Sequence, residues 1–380
     1  MGQAPVSVPV ALPWLGEEEA AAVREVLLSG WVAQGPRVAA FEKAFAQAVG
    51  AAEAVAVSSC TAALHLCLAA LGIGPGDEVV VPSFSFIATA NAVRHCGARP
   101  VFADIDPISF NVSVETLERA VTPRTRAVIP VDQVGMPLDL EPILEWARGR
   151  RLHLVEDAAC ALGSRRDGRP CGSTALACFS THPRKVITTG EGGMITTSDG
   201  EFAARLRRLR QHGMSVSDLE RHRAGRVVFE SYDEVGWNYR MTDLQAAVGL
   251  VQLGRLPEIL ARRRALAARY SQAFAEEPLL GIPQVPAGAE PNWQSYLLRV
   301  HPPARRDLLM ARLQERGIAT RRGIMAIHRE APYRTLYPDL RLPETEAASD
   351  ETMILPLFPT MTEEQQDLVI ESVLELVVLP

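Results

Sequence analysis

No run of apolar residues in this 380-residue chain is long enough to cross a bilayer, which takes about 20. Positive charge is not in excess either. Lys and Arg number 39 against 45 Asp and Glu, a net charge of −6 at pH 7. No polybasic surface therefore argues for nucleic acid or an anionic membrane. A phosphorylated ligand would have to be held by a few placed groups. The opening MGQAPVSVPV lacks the basic region and apolar core of a signal peptide. It has Val6 where myristoylation wants Ser or Thr. The six cysteines (Cys60, Cys67, Cys96, Cys160, Cys171, Cys178) show no CxxC pairing. They read as small hydrophobes in a reducing compartment, not as a metal site or disulfide framework. Also missing is a Gly-x-Gly-x-x-Gly between a first strand and helix, because Gly72, Gly74 and Gly76 follow a helical pattern, which argues against dinucleotide binding. These absences predict a cytoplasmic protein.

What is present is ordinary globular material, 47% hydrophobic and 22% charged, long enough for two domains. Helical patterns at 17–28 and 38–49 are closed by Gly30 and Gly50. Short β-branched runs at 54–57, 78–81, 100–105, 127–131 and 153–155 then alternate with helical patterns at 61–71, 87–95, 114–120 and 140–150. Such alternation implies crossover connections and a mostly parallel sheet with helices on both faces. Beyond residue 240 the pattern changes to a long helical stretch toward 274 interrupted at Pro257, a Pro- and Gly-bearing loop, a strand at 294–300, and helices at 305–316 and 363–377. The chain is thus predicted to be α/β over 1–250, followed by a smaller α+β domain over 251–380.

Three segments could carry chemistry. In Leu154-Val155-Glu156-Asp157-Ala158-Ala159 a hydrophobic strand ends in two acids, at the sheet edge where open α/β folds bind ligands. Lys185 lies 28 residues after Asp157, between Pro183 and the glycines of Gly190-Glu191-Gly192-Gly193. In Ser58-Ser59-Cys60-Thr61 a strand gives way to a helix whose free N–H groups and dipole favour a phosphate. Alone, each has a plain reading: a helix cap at Asp157, a solvated lysine, an ordinary Ser/Thr cap. Together they match the needs of pyridoxal 5′-phosphate (PLP): an amine for the imine, a carboxylate for the ring nitrogen, an anchor for the phosphate. A partly desolvated lysine is expected to have a depressed pKa, freeing its amine as a nucleophile. Phe86 could cover the ring or pack in the core.

At these residues the sequence resembles the DegT/StrS family of PLP-dependent sugar aminotransferases, of fold type I. The similarity runs almost end to end, through Ser59-Cys60-Thr61-Ala62-Ala63-Leu64-His65, Glu156-Asp157-Ala158-Ala159, His182-Pro183-Arg184-Lys185, Thr189-Gly190-Glu191-Gly192-Gly193, Gly236-Trp237-Asn238-Tyr239-Arg240 and Trp293-Gln294-Ser295-Tyr296. The resemblance implies a large domain built on a seven-stranded type of sheet. It implies that Lys185 carries the cofactor as a Schiff base, that Asp157 pairs with the pyridine nitrogen and that Phe86 stacks on the ring. It places Cys60, Thr61 and Ser180 at the phosphate. Asn238 would reach the phosphate of a neighbouring subunit and Arg240 the donor carboxylate, usually that of glutamate, so the site would be shared across a homodimer; the plain alternatives are a helix cap and a surface charge. Two departures stand out: Cys160 where many members have Gln or His, and Cys60 where Gly is common. One branch replaces the lysine with histidine and dehydrates sugars. Lys185 favours amination here.

The implied reaction moves an amino group from glutamate to a keto sugar, most simply a nucleotide-linked keto-deoxyhexose. A ketocyclitol of inosose type is the alternative. A non-catalytic regulatory protein of the same fold is a third reading, disfavoured by the intact Lys185, Asp157 and Arg240. Arg321, Arg322 and His328 are candidates for holding the sugar substrate, or are solvated loop charges.

Overall fold

The computed structural model describes residues 8–378. The first seven residues, part of the opening read above for a leader or acyl anchor, lie outside the described residues. Helices α1 (Glu17–Ser29) and α2 (Pro36–Val49) end at Gly30 and Gly50, both left-handed with φ of 74° and 72°. Glycine takes that conformation without the penalty a β-carbon incurs, so both helices stop where the sequence placed the stops.

The chain then runs β1 (Glu53–Val57), α3 (Cys60–Ala70), β2 (Glu78–Pro82), α4 (Ala88–His95), β3 (Arg99–Ala103), α5 (Val114–Glu118), β4 (Thr125–Val128), α6 (Leu140–Gly149) and β5 (His153–Asp157). A short hairpin of β6 (Arg165–Arg166) and β7 (Arg169–Pro170) precedes β8 (Leu176–Ser180) and β9 (Gly193–Thr197). Helices α7 (Gly200–Leu209), α8 (Asp218–Arg223) and α9 (Asp243–Gly254) follow. The large sheet has seven strands in the order β1-β9-β8-β5-β4-β2-β3, and only β9 runs antiparallel to its neighbours. The mostly parallel sheet expected from the sequence is therefore present. The pattern names five of its strands and misses β8 and β9. Both are five residues long and largely buried, so no polar alternation marks them.

Both faces are covered. Val55, Val57, Val79 and Ile195 pack against Leu64 and Leu68 of α3 and Leu206 of α7. On the other face Ala54, Ala177, Phe179 and Met194 meet Phe41 and Phe45 of α2 and Ala246 of α9.

Helix α10 (Leu256–Phe274) opens the second unit, with Pro257 in its first turn, where a missing N–H breaks no helical bond. It is followed by β10 (Leu280–Gly281), β11 (Ala289–Glu290), β12 (Tyr296–Val300), α11 (Pro303–Glu315), β13 (Arg321–Arg322), α12 (Ala331–Arg334), α13 (Pro343–Glu351), β14 (Thr352–Leu355) and α14 (Glu363–Val377). Strands β10, β12, β14 and β13 form an antiparallel sheet in that order. Its core joins Tyr270, Phe274, Tyr296, Leu309, Leu313, Met353 and Val373. Val8 also belongs to that core and forms an isolated bridge with Ile318, tying the start of the described chain to this core. Among the described residues, no helix is long and apolar enough to cross a membrane.

Candidate active site

The carboxyl edge of the large sheet opens into a cavity of about 390 Å³. Asp157, the last residue of β5, sits on its wall and is buried. Its Oδ2 accepts a hydrogen bond from Thr89 Oγ1 at 2.8 Å, and its Oδ1 accepts one from the N–H of Ala159 at 3.2 Å. Burial raises the carboxyl's pKa, and these two bonds and the nearby Lys185 charge oppose the rise without cancelling it. A cationic ligand nitrogen beside Asp157 would offset that burial.

Lys185 reaches the same cavity from the segment between β8 and β9. That segment is cross-braced: Thr181 and Thr189 hydroxyls meet at 2.6 Å, Thr188 Oγ1 donates to Thr181 O at 3.0 Å, and Gln294 Nε2 donates to Arg184 O at 2.9 Å. Lys185 Nζ donates to Cys160 Sγ at 3.0 Å. Burial is the largest influence on Lys185 and pulls its pKa down, but Cys160, Cys60 and Asp157 together outweigh it, so the pKa lies above its ordinary value. This corrects the depressed lysine expected from desolvation: the opposing groups meet the lysine only in the folded chain.

At the start of α3, Ser59 is the cap, accepting a hydrogen bond from Ala62 N at 3.1 Å. The plain reading of this segment is thus true of Ser59. It leaves Cys60 and Thr61, both lining the cavity, in a first turn whose N–H groups have no intrahelical partner. Ser180, at the end of β8, lines the wall as well. Gly193 lets β9 approach this turn, since a β-carbon there would stand 2.5 Å from the Ser59 carbonyl carbon. Phe86 is not core: it is 57% exposed on the cavity wall, whereas Phe84 two residues earlier is fully buried. An amine, an acid, an anion cradle and an apolar ring face thus border one space. That donor set fits PLP.

The other sequence candidates lie elsewhere. His328 is 3% exposed and clamped, with Nδ1 2.7 Å from Ser83 Oγ and Nε2 3.2 Å from Glu346 Oε1. It does not reach the cavity, because its ring ties β2 to α13. Arg322 donates to Glu330 Oε1 at 3.0 Å and is likewise outside. Its neighbour Arg321 lines the cavity, as successive residues of a strand face opposite sides. Asn238 is exposed and Arg240 half-buried, and neither lines the cavity. Among the described residues the Arg240 guanidinium has no hydrogen bond or ion pair.

The sequence did not point to His182, Arg184 or Glu191 at the mouth, nor to Thr89 behind Asp157. The only signal for His182, Arg184 and Glu191 was their place in the motifs around Lys185, which assigned them no role. Burial and the facing Arg321 charge lower the Arg184 pKa. Burial also lowers that of His182, helped by Arg184, Lys185 and Arg321 and opposed by Glu191. With two guanidiniums against the Glu191 carboxylate, the mouth carries a net positive charge. On the other side of β5, the ligand atoms of Asp132, Glu156 and Cys171 lie within 4.8 Å of one another, all buried. Asp132 Oδ2 has no hydrogen-bond partner among the described residues, and a proton on either acid would let it donate to the other. Burial, with the Asp157 charge, pushes Asp132 up to about 7 against the opposing bonds from Leu138 N and Glu156, and burial with the Asp132 charge raises Glu156 as well.

A mostly parallel sheet whose carboxyl edge gathers a lysine, an acid and a helix start offers a place where an anionic cofactor would fit. The profile of the DegT/DnrJ/EryC1/StrS aminotransferase family matches residues 13–374, and the chain belongs to that family. Among solved structures it is similar to the aminotransferase TlmJ from Streptoalloteichus hindustanus, at 38% identity over 97% of this chain and 98% of that one, with a TM-score of 0.90. It is similar to the sugar aminotransferase CalS13 from Micromonospora echinospora (28% identity, 96% and 99% covered, TM-score 0.87). Spr1654 from Streptococcus pneumoniae, solved in a PLP form, matches at 29% identity over 97% and 98% with a TM-score of 0.90. The chain is a sugar aminotransferase.

Proposed function

We propose that this cavity takes PLP and passes an amino group from glutamate to a nucleotide-linked keto sugar. When bound, the cofactor supplies an electron-withdrawing ring that stabilises charge on the reacting carbon. Lys185 would hold the cofactor through its ε-amine and, when not so engaged, would carry a proton at Nζ. Asp157, held by Thr89 and Ala159, keeps the ring nitrogen protonated. The first-turn N–H groups of Cys60 and Thr61, with the hydroxyls of Thr61 and Ser180, hold the phosphate. Phe86 covers the ring face and excludes water.

What carries the reading is the meeting of Lys185, Asp157 and the α3 start around one cavity. The cationic mouth of Arg184 and Arg321 favours a diphosphate-bearing substrate over an uncharged cyclitol. Asn238 and Arg240 serve the site of a second copy, Arg240 meeting the glutamate carboxylate. Support comes from the unpaired Arg240 and from the segment before it, where Val227, Phe229 and Val235 are 80%, 88% and 87% exposed. Apolar surface of that kind is usual at an interface.

The test is a panel assay. Protein loaded with PLP should lose the near-visible absorbance of its lysine-bound cofactor on adding glutamate, and regain it with a keto sugar nucleotide but not with an inosose. A Lys185→Ala variant that kept both the absorbance and turnover would overturn the reading.

A further inference from the structure

The contact between Lys185 and Cys160 is built rather than incidental. Both backbones are fixed. The Cys160 carbonyl accepts from Asn292 Nδ2 at 2.7 Å, and the same amide donates to Leu162 O at 2.9 Å. Asn292 is in turn held by Ser164 Oγ, which accepts its N–H at 3.0 Å. On the other side Lys185 N donates to His182 O at 2.8 Å, within the braced segment after β8. The lysine side chain spans from one anchored element to the other, and its donor ends on sulfur at 3.0 Å. Thr89 and Ala159 already occupy the Asp157 oxygens, and no bond between Lys185 and Asp157 is present. Sulfur is therefore the lysine's hydrogen-bond partner in this pocket.

We propose that Cys160 is a positioning residue for Lys185, accepting a hydrogen bond that holds the ε-amine in place and favours its protonated form while the amine is not bonded to the cofactor. This rests on the reading of Lys185 as the cofactor-bonding residue. Such a partner has a use in an aminotransferase, because for half of its cycle the cofactor carries the transferred amino group and the lysine is free. A free lysine with four rotatable carbons would otherwise disperse toward solvent at the mouth. The groups that face Lys185 are Asp157 and Cys160 on β5 and its following turn, Cys60 at the start of α3, His182 and Arg184 on its own segment, and Arg321 from β13. Of these influences, burial favours a neutral amine. Cys160 is the largest opposing influence.

The experiment measures how fast cofactor-free protein captures added PLP across pH, read by absorbance, with borohydride trapping and peptide mapping to locate the attachment. Capture requires the neutral amine, so its midpoint reports the lysine's proton affinity. In Cys160→Ala the midpoint should fall by at least about one pH unit, a tenfold change in proton affinity, while the trapped site stays Lys185. Cys160→Ser, which restores a weaker partner, should lie between the two. A midpoint unchanged in both variants, with trapping still at Lys185, overturns the role of Cys160 alone. Trapping at another residue in the parent overturns the reading of Lys185 beneath it. Should Cys160→Ala unfold by circular dichroism, Cys160→Ser carries the same comparison.

Discussion

Replacing Gly193 with alanine should force apart the two sides of the proposed phosphate cradle. The new β-carbon would stand 2.5 Å from the Ser59 carbonyl carbon, 2.6 Å from its oxygen and 2.7 Å from Cys60 N. Ordinary contact starts at 3.4 Å, so relief needs a movement of 3.4 − 2.5 = 0.9 Å. No flexible side chain can absorb it. Ser59 caps α3, and Gly193 is in register with Val57 on one side and Ser180 on the other. Overpacking of this kind costs about 1–3 kcal/mol of stability. A shift of that size in the first turn of α3 should also break at least one charge-assisted bond to the phosphate, worth about 1.5–3 kcal/mol. At 1.4 kcal/mol per factor of ten, cofactor binding weakens about 10- to 150-fold. Titration of cofactor-free protein with PLP gives the dissociation constant, and urea unfolding gives the stability. Gly200→Ala is the control: Gly200 is the first residue of α7, meets nothing within 4 Å and has no positive φ. It should be neutral or slightly stabilising. If Gly193→Ala binds PLP with the parent's dissociation constant, the close approach of β9 to α3 plays no part in holding the phosphate.

The buried acids behind Asp157 make stability depend on pH. The folded pKa values of Asp132 and Glu156 are raised above unfolded values of about 4, Asp132 to about 7. The native state therefore binds extra protons between these limits, and stability is full below pH about 4 and lost as pH rises through about 7. Glu156→Gln, whose amide can donate to an ionised Asp132 while its oxygen still accepts from Gly172 N, should flatten this slope in urea midpoints compared at pH 5 and 7.5; parallel profiles would rule out the shared proton. At the mouth, Arg321→Ala should raise KM for a keto sugar nucleotide about tenfold, the worth of one charge-assisted contact. The kcat and the KM for glutamate should stay near the parent values, and an unchanged sugar KM would remove Arg321 from diphosphate binding.

Local physics left its mark on the chain itself. Gly30 and Gly50 end helices because a left-handed residue is cheapest as glycine, and Pro257 opens α10 because a first-turn N–H needs no partner. Strand–helix alternation implied the parallel sheet. Lys185, Asp157 and the α3 start were visible as motifs, since each lies at an element boundary with a telling sequence. Only the tertiary structure decided what those residues meet. It set Cys160 against Lys185, Thr89 behind Asp157 and Arg321 opposite Arg184, pairs that no periodicity encodes. It took His328 out of the cavity and into a clamp between Ser83 and Glu346. It also gave β8 and β9 their place in a sheet whose burial erased the alternation that would have announced them. Periodicity and capping act over a few residues, whereas a pocket's electrostatics come from groups tens of residues or more apart along the chain.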